Sequence, residues 1–319
     1  MRIPAARLAS PTTLNPMLAP FVNVAELRSL CDTARHLVVV DSRWYLDGRS
    51  AREAYAHGHL PGAVFVDLDA ALAAPPTLTQ GRHPLPDPAD FAAAMRGLGI
   101  GDDSTVVVYD DAGGVIAARL VWMLRTLGLD AAVLDGGIAA WEGPLEHSDA
   151  SAVDAVRAAG AAGDDGGTGG DGAVGSETAA AASFTQRPWP DAALASIDDT
   201  EQAAVDGSAL VLDARTADRF AGDAEPVDAR AGHIPGAANL SVRDHVDGEG
   251  RLLPVDELRA RLTAAGAGER PVISYCGSGV TACHTLLVLE HAGLPAGRLF
   301  PGSWSQYAAD ASRPIATGA

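Results

Sequence analysis

The sequence predicts an α/β protein of two tandem domains, each a parallel sheet flanked by helices. Three observations predict it. The chain repeats itself, each repeat alternates short aliphatic runs with longer helical stretches, and a low-complexity segment separates the copies.

The repeat is read directly from the residues. Val38-Val39-Val40-Asp41-Ser42-Arg43 returns as Leu210-Val211-Leu212-Asp213-Ala214-Arg215, and His59-Leu60-Pro61-Gly62-Ala63 returns as His233-Ile234-Pro235-Gly236-Ala237. Val106-Val107-Val108-Tyr109 matches Val272-Ile273-Ser274-Tyr275. Asp135-Gly136-Gly137 with Trp141 matches Pro301-Gly302-Ser303-Trp304. The interval from Tyr109 to Gly136 is 27 positions, and so is that from Tyr275 to Gly302. Ordered matches with a preserved interval mean duplication.

The runs ending at Asp41, Tyr109, Asp213 and Tyr275 are short and aliphatic, the pattern of strands buried on both faces. Ala117 to Leu127 and Thr281 to His291 are long enough for amphipathic helices, closed by Gly128 and Gly293 as C-caps. Strand-helix alternation gives βαβ units, and ligands then gather outside the carboxyl ends of the strands. Residues 20–147 form the first domain and 190–316 the second. The Ala/Gly/Asp-rich stretch 148–189 has little to bury and reads as a flexible linker.

Hydrophobic residues at 47% and charged residues at 20% place the chain among globular proteins. No apolar run approaches the roughly 18 residues of a membrane helix, and Met1 to Pro20 lacks the apolar core of a secretory signal. A formal net charge of −18 repels nucleic acid and anionic membranes, so neither is expected as a partner. Cys31, Cys276 and Cys283 are too few and wrongly spaced for a disulfide framework or a zinc site. They fit a reducing cytoplasm, and no metal or organic cofactor is implied.

The segment Pro271 to His284 carries the chemistry. A buried strand runs into Cys276, and Gly277-Ser278-Gly279 leads to a helix. The thiol therefore sits beside helix N-terminal amides, which favour the thiolate. Gly277 and Gly279 permit backbone angles that turn successive N–H groups inward as an anion nest. Such a cradle also suits a persulfide. At the equivalent strand end of the first copy stands Asp110, which cannot carry sulfur, so that domain is expected to be catalytically silent.

The paired Asp-x-Arg, His-(Ile/Leu)-Pro-Gly-Ala and strand-Cys-loop-helix elements resemble tandem rhodanese-like domains, over most of the chain outside the linker. The resemblance implies a five-stranded parallel sheet in each domain and a catalytic Cys in the second alone. The loop Cys276 to Thr281 is similar to that of 3-mercaptopyruvate sulfurtransferases, which implies substrate contacts from Gly277, Gly279, Val280 and Thr281. Thiosulfate sulfurtransferases typically follow the Cys with Arg and Lys, and this loop has neither. Thiosulfate, a compact dianion, would want cations there.

The same resemblance implies a relay of Ser278 with His83 and Asp69, and a carboxylate grip by Arg219. His is suited to moving protons near neutral pH, and an Asp beside it fixes its tautomer. A second arginine usual in relatives is missing: Ala221 and Val227 stand in its places, and Arg230 is the nearest substitute. Arg43 and Arg215 are read as partners of Asp41 and Asp213, His59 and His233 as turn residues, and Cys283 and Cys31 as packed in helices.

The expected activity is transfer of sulfur from 3-mercaptopyruvate through a Cys276 persulfide to a thiol acceptor, such as thioredoxin or a small thiol, or to cyanide. The alternatives are thiosulfate:cyanide sulfurtransfer and a non-catalytic binding module. Cysteine phosphatases close the loop with an Arg, which Val280, Thr281, Ala282 and Cys283 do not provide.

Overall fold

The computed structural model describes residues 17–149 and 182–318. The first domain runs β1 (Phe21–Val22), α1 (Val24–Thr33), β2 (Leu37–Asp41), α2 (Ala51–His57), β3 (Val64–Phe65), α3 (Leu68–Ala71), α4 (Pro88–Gly97), β4 (Thr105–Tyr109), α5 (Ala118–Thr126) and β5 (Asp130–Leu134). Its strands are all parallel, in the order β1-β5-β4-β2-β3. The second runs α6 (Ile197–Asp206), β6 (Leu210–Asp213), α7 (Ala217–Ala221), β7 (Ala238–Asn239), α8 (Val255–Ala264), β8 (Val272–Tyr275), α9 (Ala282–His291), β9 (Arg298–Leu299) and α10 (Ser303–Ala309).

The second sheet is also parallel, in the order β7-β6-β8-β9. Here the expectation of five strands needs correction. The counterpart of β1 is a single bridge between Leu194 and Leu299, with Ala195 N–H donating to the Leu299 carbonyl at 2.8 Å. Pro188 and Pro190, just before it, have no N–H to extend a ladder.

The Asp-x-Arg repeats fold alike. Arg43 bonds Asp41 at 2.6 Å and the Gly58 carbonyl at 2.8 Å, while Arg215 bonds Asp213 at 2.6 Å and the Gly232 carbonyl at 2.7 Å. His59 stacks on Tyr55 and His233 on Phe220. These groups pin the His-x-Pro-Gly turn that follows α2 in the first domain and α7 in the second, and belong to the scaffold.

Helices α5 and α9 pack against each other across the domain boundary. Ala118 to Leu124 and Ala282 to Leu289 are all buried, so both helices are enclosed on every side rather than amphipathic. The largest hydrophobic cluster consequently takes side chains from both domains, among them Val121, Trp122, Leu286 and Leu287. The described end of the expected linker is also held down. Phe184 is buried against Phe91, Trp189 packs on the same ring, and Asp102 N–H donates to the Ser183 carbonyl at 2.8 Å. Residues 150–181 of that stretch lie outside the described residues.

Candidate active site

Strand β8 delivers Cys276 to its carboxyl end, where only 2% of the residue is exposed. Its N–H donates to Ser303 Oγ at 3.1 Å, and its carbonyl accepts from Trp304 N–H at 3.0 Å. The carbonyls of Cys276 and Gly277 thus serve the first turn of α10, Gly277 taking Ser305 N–H at 2.9 Å. Ser303 has φ 51°, the one positive value among described non-glycine residues, where the first copy places Gly137 at 56°. Such backbone costs about 1–3 kcal/mol, and the Ser303 hydroxyl it presents takes the Cys276 N–H.

The two loop glycines differ in what they require. Gly279 has φ 78°, a Cβ on it would run into the Pro301 carbonyl, and its N–H donates to Cys276 Sγ at 3.2 Å. Gly277 needs space rather than an unusual φ. A Cβ there would lie 3.1 Å from Arg82 Nη2 and 3.6 and 3.8 Å from Arg219 Nη1 and Nη2. Val280 is buried in the core, and Thr281 stands at the start of α9 without a side-chain cap bond.

The first domain displays what this strand end does with an anion. Asp110 Oδ1 accepts N–H from Ala112 and Gly114, both at 2.8 Å, and Oδ2 accepts from Ile116 at 2.8 Å and Ala117 at 2.9 Å. Four amides converge on one buried carboxylate. Helix α5, like α9, has no side-chain cap at its own N-terminus, and Asp110 substitutes for one.

Ser278, His83 and Asp69 meet across the domain boundary. His83 Nδ1 lies 2.7 Å from Ser278 Oγ, and Nε2 lies 3.1 Å from Asp69 Oδ1. An ionised carboxylate only accepts, so Nε2 carries the proton and Nδ1 takes the hydroxyl of Ser278. Trp44 Nε1 donates to the other Asp69 oxygen at 3.0 Å and its ring meets His83 edge-on. Burial pushes the His83 pKa down to about 4, against the pull of Asp69, with Arg119 and Arg82 adding to the lowering. The imidazole is a neutral base at pH 7.

A loop carries His83 to this position. Gly81, at φ 86°, approaches the Gly302 carbonyl so closely that a Cβ would collide with it. Arg82 N–H then donates to Ser305 Oγ at 3.0 Å, and Gln306 Nε2 reaches the Thr79 carbonyl at 2.6 Å. The Arg119 guanidinium, wholly buried on α5, donates to the His83 carbonyl at 3.1 Å and the Gly279 carbonyl at 2.8 Å. One side chain therefore ties the His83 loop to the Cys276 loop.

On the other side of Cys276 stand two guanidiniums. Arg219 bonds Glu225 at 2.6 Å and reaches Asp228 at 3.4 Å, and Arg82 pairs with the other oxygen of Asp228. Burial pushes the Asp228 pKa up, while Glu225 is held low because Arg219 and the N–H groups of Asp228 and Val227 outweigh its burial. Cations are thus absent from the loop sequence but present above it. Arg230 is excluded as the second arginine: it donates to the carbonyls of Tyr307 at 3.0 Å, Ala308 at 2.8 Å and Arg313 at 3.0 Å near the end of α10.

The cysteines separate by environment. Cys283 is wholly buried, its thiol 3.4 Å from the Gly279 carbonyl, and burial pushes its pKa up to about 12 despite Arg119. Cys31 is exposed, contrary to the expectation of a packed position, because α1 buries only Leu27. Sequence reasoning missed Arg82, Asp228, Arg119 and Ser303. The sole signal for Arg82 was its position next to His83.

Known proteins resemble this chain over most of its length. The rhodanese-like domain profile matches residues 23–144 and 196–310. A Pseudomonas aeruginosa protein, provisionally named 3-mercaptopyruvate sulfurtransferase, is 42% identical over 290 residues, 88% of this chain and 93% of that one. A Mycobacterium tuberculosis protein, provisionally named thiosulfate sulfurtransferase SseB, is 36% identical over 93% of this chain and 96% of its own length. The crystal structure of the 3-mercaptopyruvate sulfotransferase SseA from Escherichia coli superposes with a TM-score of 0.70 and 32% identity, covering 90% of this chain and all of that one. The chain belongs to the rhodanese-like family, as a two-domain sulfurtransferase with a donor and an acceptor of sulfur. Among the described residues no helix is long and apolar enough to cross a membrane.

Proposed function

We propose that this chain takes sulfur from 3-mercaptopyruvate and carries it as a persulfide on Cys276. The observation that carries the reading is the hydrogen-bonded chain Ser278–His83–Asp69, beginning two residues from the nucleophile. Thiosulfate has no proton to move, whereas 3-mercaptopyruvate has a thiol proton to surrender and an enolate to quench.

The Cys276 thiolate attacks the substrate sulfur, and the C–S bond breaks with its electron pair on carbon. Ser278 accepts the substrate's thiol proton as it passes its own to His83, and the same relay returns a proton to the enolate. Pyruvate leaves, and the persulfide anion rests against the Gly279 N–H. A thiol acceptor, such as a small thiol or thioredoxin, or cyanide in the test tube, then takes the outer sulfur and restores the thiolate. The nucleophile must stay reduced between turnovers, which fits a cytoplasmic setting.

Thiosulfate is the second reading, favoured by the two guanidiniums over Gly277, which supply the cations the loop itself lacks. Steady-state rates with each donor, cyanide as acceptor, separate the two. The first reading expects kcat/KM for 3-mercaptopyruvate to exceed that for thiosulfate. The reverse order overturns it.

A further inference from the structure

We infer that Arg119 is a positioning residue of the proton relay, its guanidinium setting Ser278, His83 and Asp69 in register across the domain boundary. The inference rests on the relay reading of those three residues. The guanidinium has three anchor points. Nη1 donates to the Gly279 carbonyl at 2.8 Å, one residue from Ser278. Nη2 donates to the carbonyl of His83 itself at 3.1 Å. Nη2 and Nε also reach the Leu72 carbonyl, at 3.2 and 3.4 Å, where α3, the helix that carries Asp69, ends. One side chain therefore grips the backbone of each element that carries a relay member.

Packing alone does not call for this residue. Arg119 is wholly buried, among the described residues no carboxylate pairs with it, and the chargeable groups that face it are the thiols of Cys283 and Cys276. A buried guanidinium without a counter-ion is costly, and a hydrocarbon would fill the same place without that penalty. What the guanidinium adds is a rigid planar fork whose donors diverge toward separate acceptors. Ser278 and His83 lie 195 positions apart, so the chain between them does not fix their spacing. Misplacing such a pair by about 1 Å costs up to about a hundredfold in rate. The matching place in the second copy, nine residues after Cys276 as Arg119 is nine after Asp110, holds Thr285. The guanidinium is thus particular to the silent copy.

The charge acts on His83 as well. Burial lowers the His83 pKa most, Asp69 on α3 pulls it up, and Arg119 on α5 and Arg82 beside it lower it further. Arg82 is itself paired with Asp228. Arg119 thereby helps to keep the imidazole neutral and able to take the Ser278 proton.

Arg119→Lys and Arg119→Met, each alone and combined with His83→Ala, test it by steady-state kinetics with 3-mercaptopyruvate. Arg119→Lys keeps the charge and loses the fork, so kcat should fall about tenfold to a hundredfold with KM within about twofold. The same substitution in His83→Ala should cost less than about threefold, because the relay it positions is already gone. Arg119→Met removes the charge too, so the acid limb owed to His83 should move up from near pH 4, whereas Arg119→Lys leaves it in place. The same cycle run with Arg119→Met covers a failure of Arg119→Lys to fold, and the reverse. A loss as large in the His83→Ala background as in wild type, or an unchanged kcat in both Arg119 variants, overturns the inference. A wild-type rate in His83→Ala overturns the relay itself and the inference with it, a failure visible without any Arg119 variant.

Discussion

His83 Nδ1 stands 2.7 Å from Ser278 Oγ, although the two residues come from different domains and lie 195 positions apart. The contact ties the Cys276–Ser278 loop of the second domain to a loop of the first. His83→Ala should lower kcat/KM for 3-mercaptopyruvate by roughly 10²–10⁴-fold, the usual worth of a positioned general base. Unaltered turnover would remove the relay from the mechanism.

The pH profile follows from the same residue. Burial lowers the His83 pKa to about 4, so the base form persists above that value and is lost as pH falls through it. The limb owed to His83 should therefore lie near pH 4 and not near 6.5, and should vanish from the residual activity of His83→Ala. A rate profile of both proteins checks it.

Asp110 predicts a stability effect without a catalytic one. Asp110→Ala strands four N–H groups that now share one carboxylate, at a cost of about 2 kcal/mol or more. Urea unfolding should show the loss, while the KM for 3-mercaptopyruvate stays at the wild-type value.

His245 and His284 predict acid sensitivity. Their Nδ1 atoms are 3.4 Å apart, both rings are buried, and neither Nε2 has a hydrogen-bond partner. Burial lowers the His245 pKa to about 4 and that of His284 well below its usual value. The unfolded chain therefore binds more protons below about pH 6.5, and folding stability falls as pH drops from there toward 4. Each group contributes up to about 1.4 kcal/mol per pH unit in that window. His284→Leu should flatten the dependence in chemical denaturation between about pH 4.5 and 6.5.

Cys283 should be dispensable for turnover. With its pKa pushed to about 12 and its thiol directed at the Gly279 carbonyl, it is neutral at pH 7 and packed in α9. Cys283→Ser should load Cys276 with sulfur as wild type does, measured by mass spectrometry of the separated peptides.

Much of this architecture was legible in the residues because duplication states it twice. The strands ending at Asp41, Tyr109, Asp213 and Tyr275, the Cys276 strand end and the Asp110 substitution all follow from matching one copy to the other. What could not be read depends on docking. Helices α5 and α9 are buried all round only because they face each other, and Arg82 reaches Gly277 only because its loop crosses the boundary. The fifth strand of the second sheet shrank to one bridge through local prolines, and Cys31 surfaced because α1 is shallowly packed. A cation-free loop sequence also gave a misleading picture of its surroundings, since charge gathers in space and not along the chain.

The most direct test of sulfur transfer through Cys276 is the mass of the protein after brief exposure to 3-mercaptopyruvate in the absence of acceptor. A gain of ~32 Da located on Cys276, accompanied by pyruvate, is expected, and none in Cys276→Ser. No gain in the wild-type protein, or a gain carried by Cys31 or Cys283 instead, would contradict it.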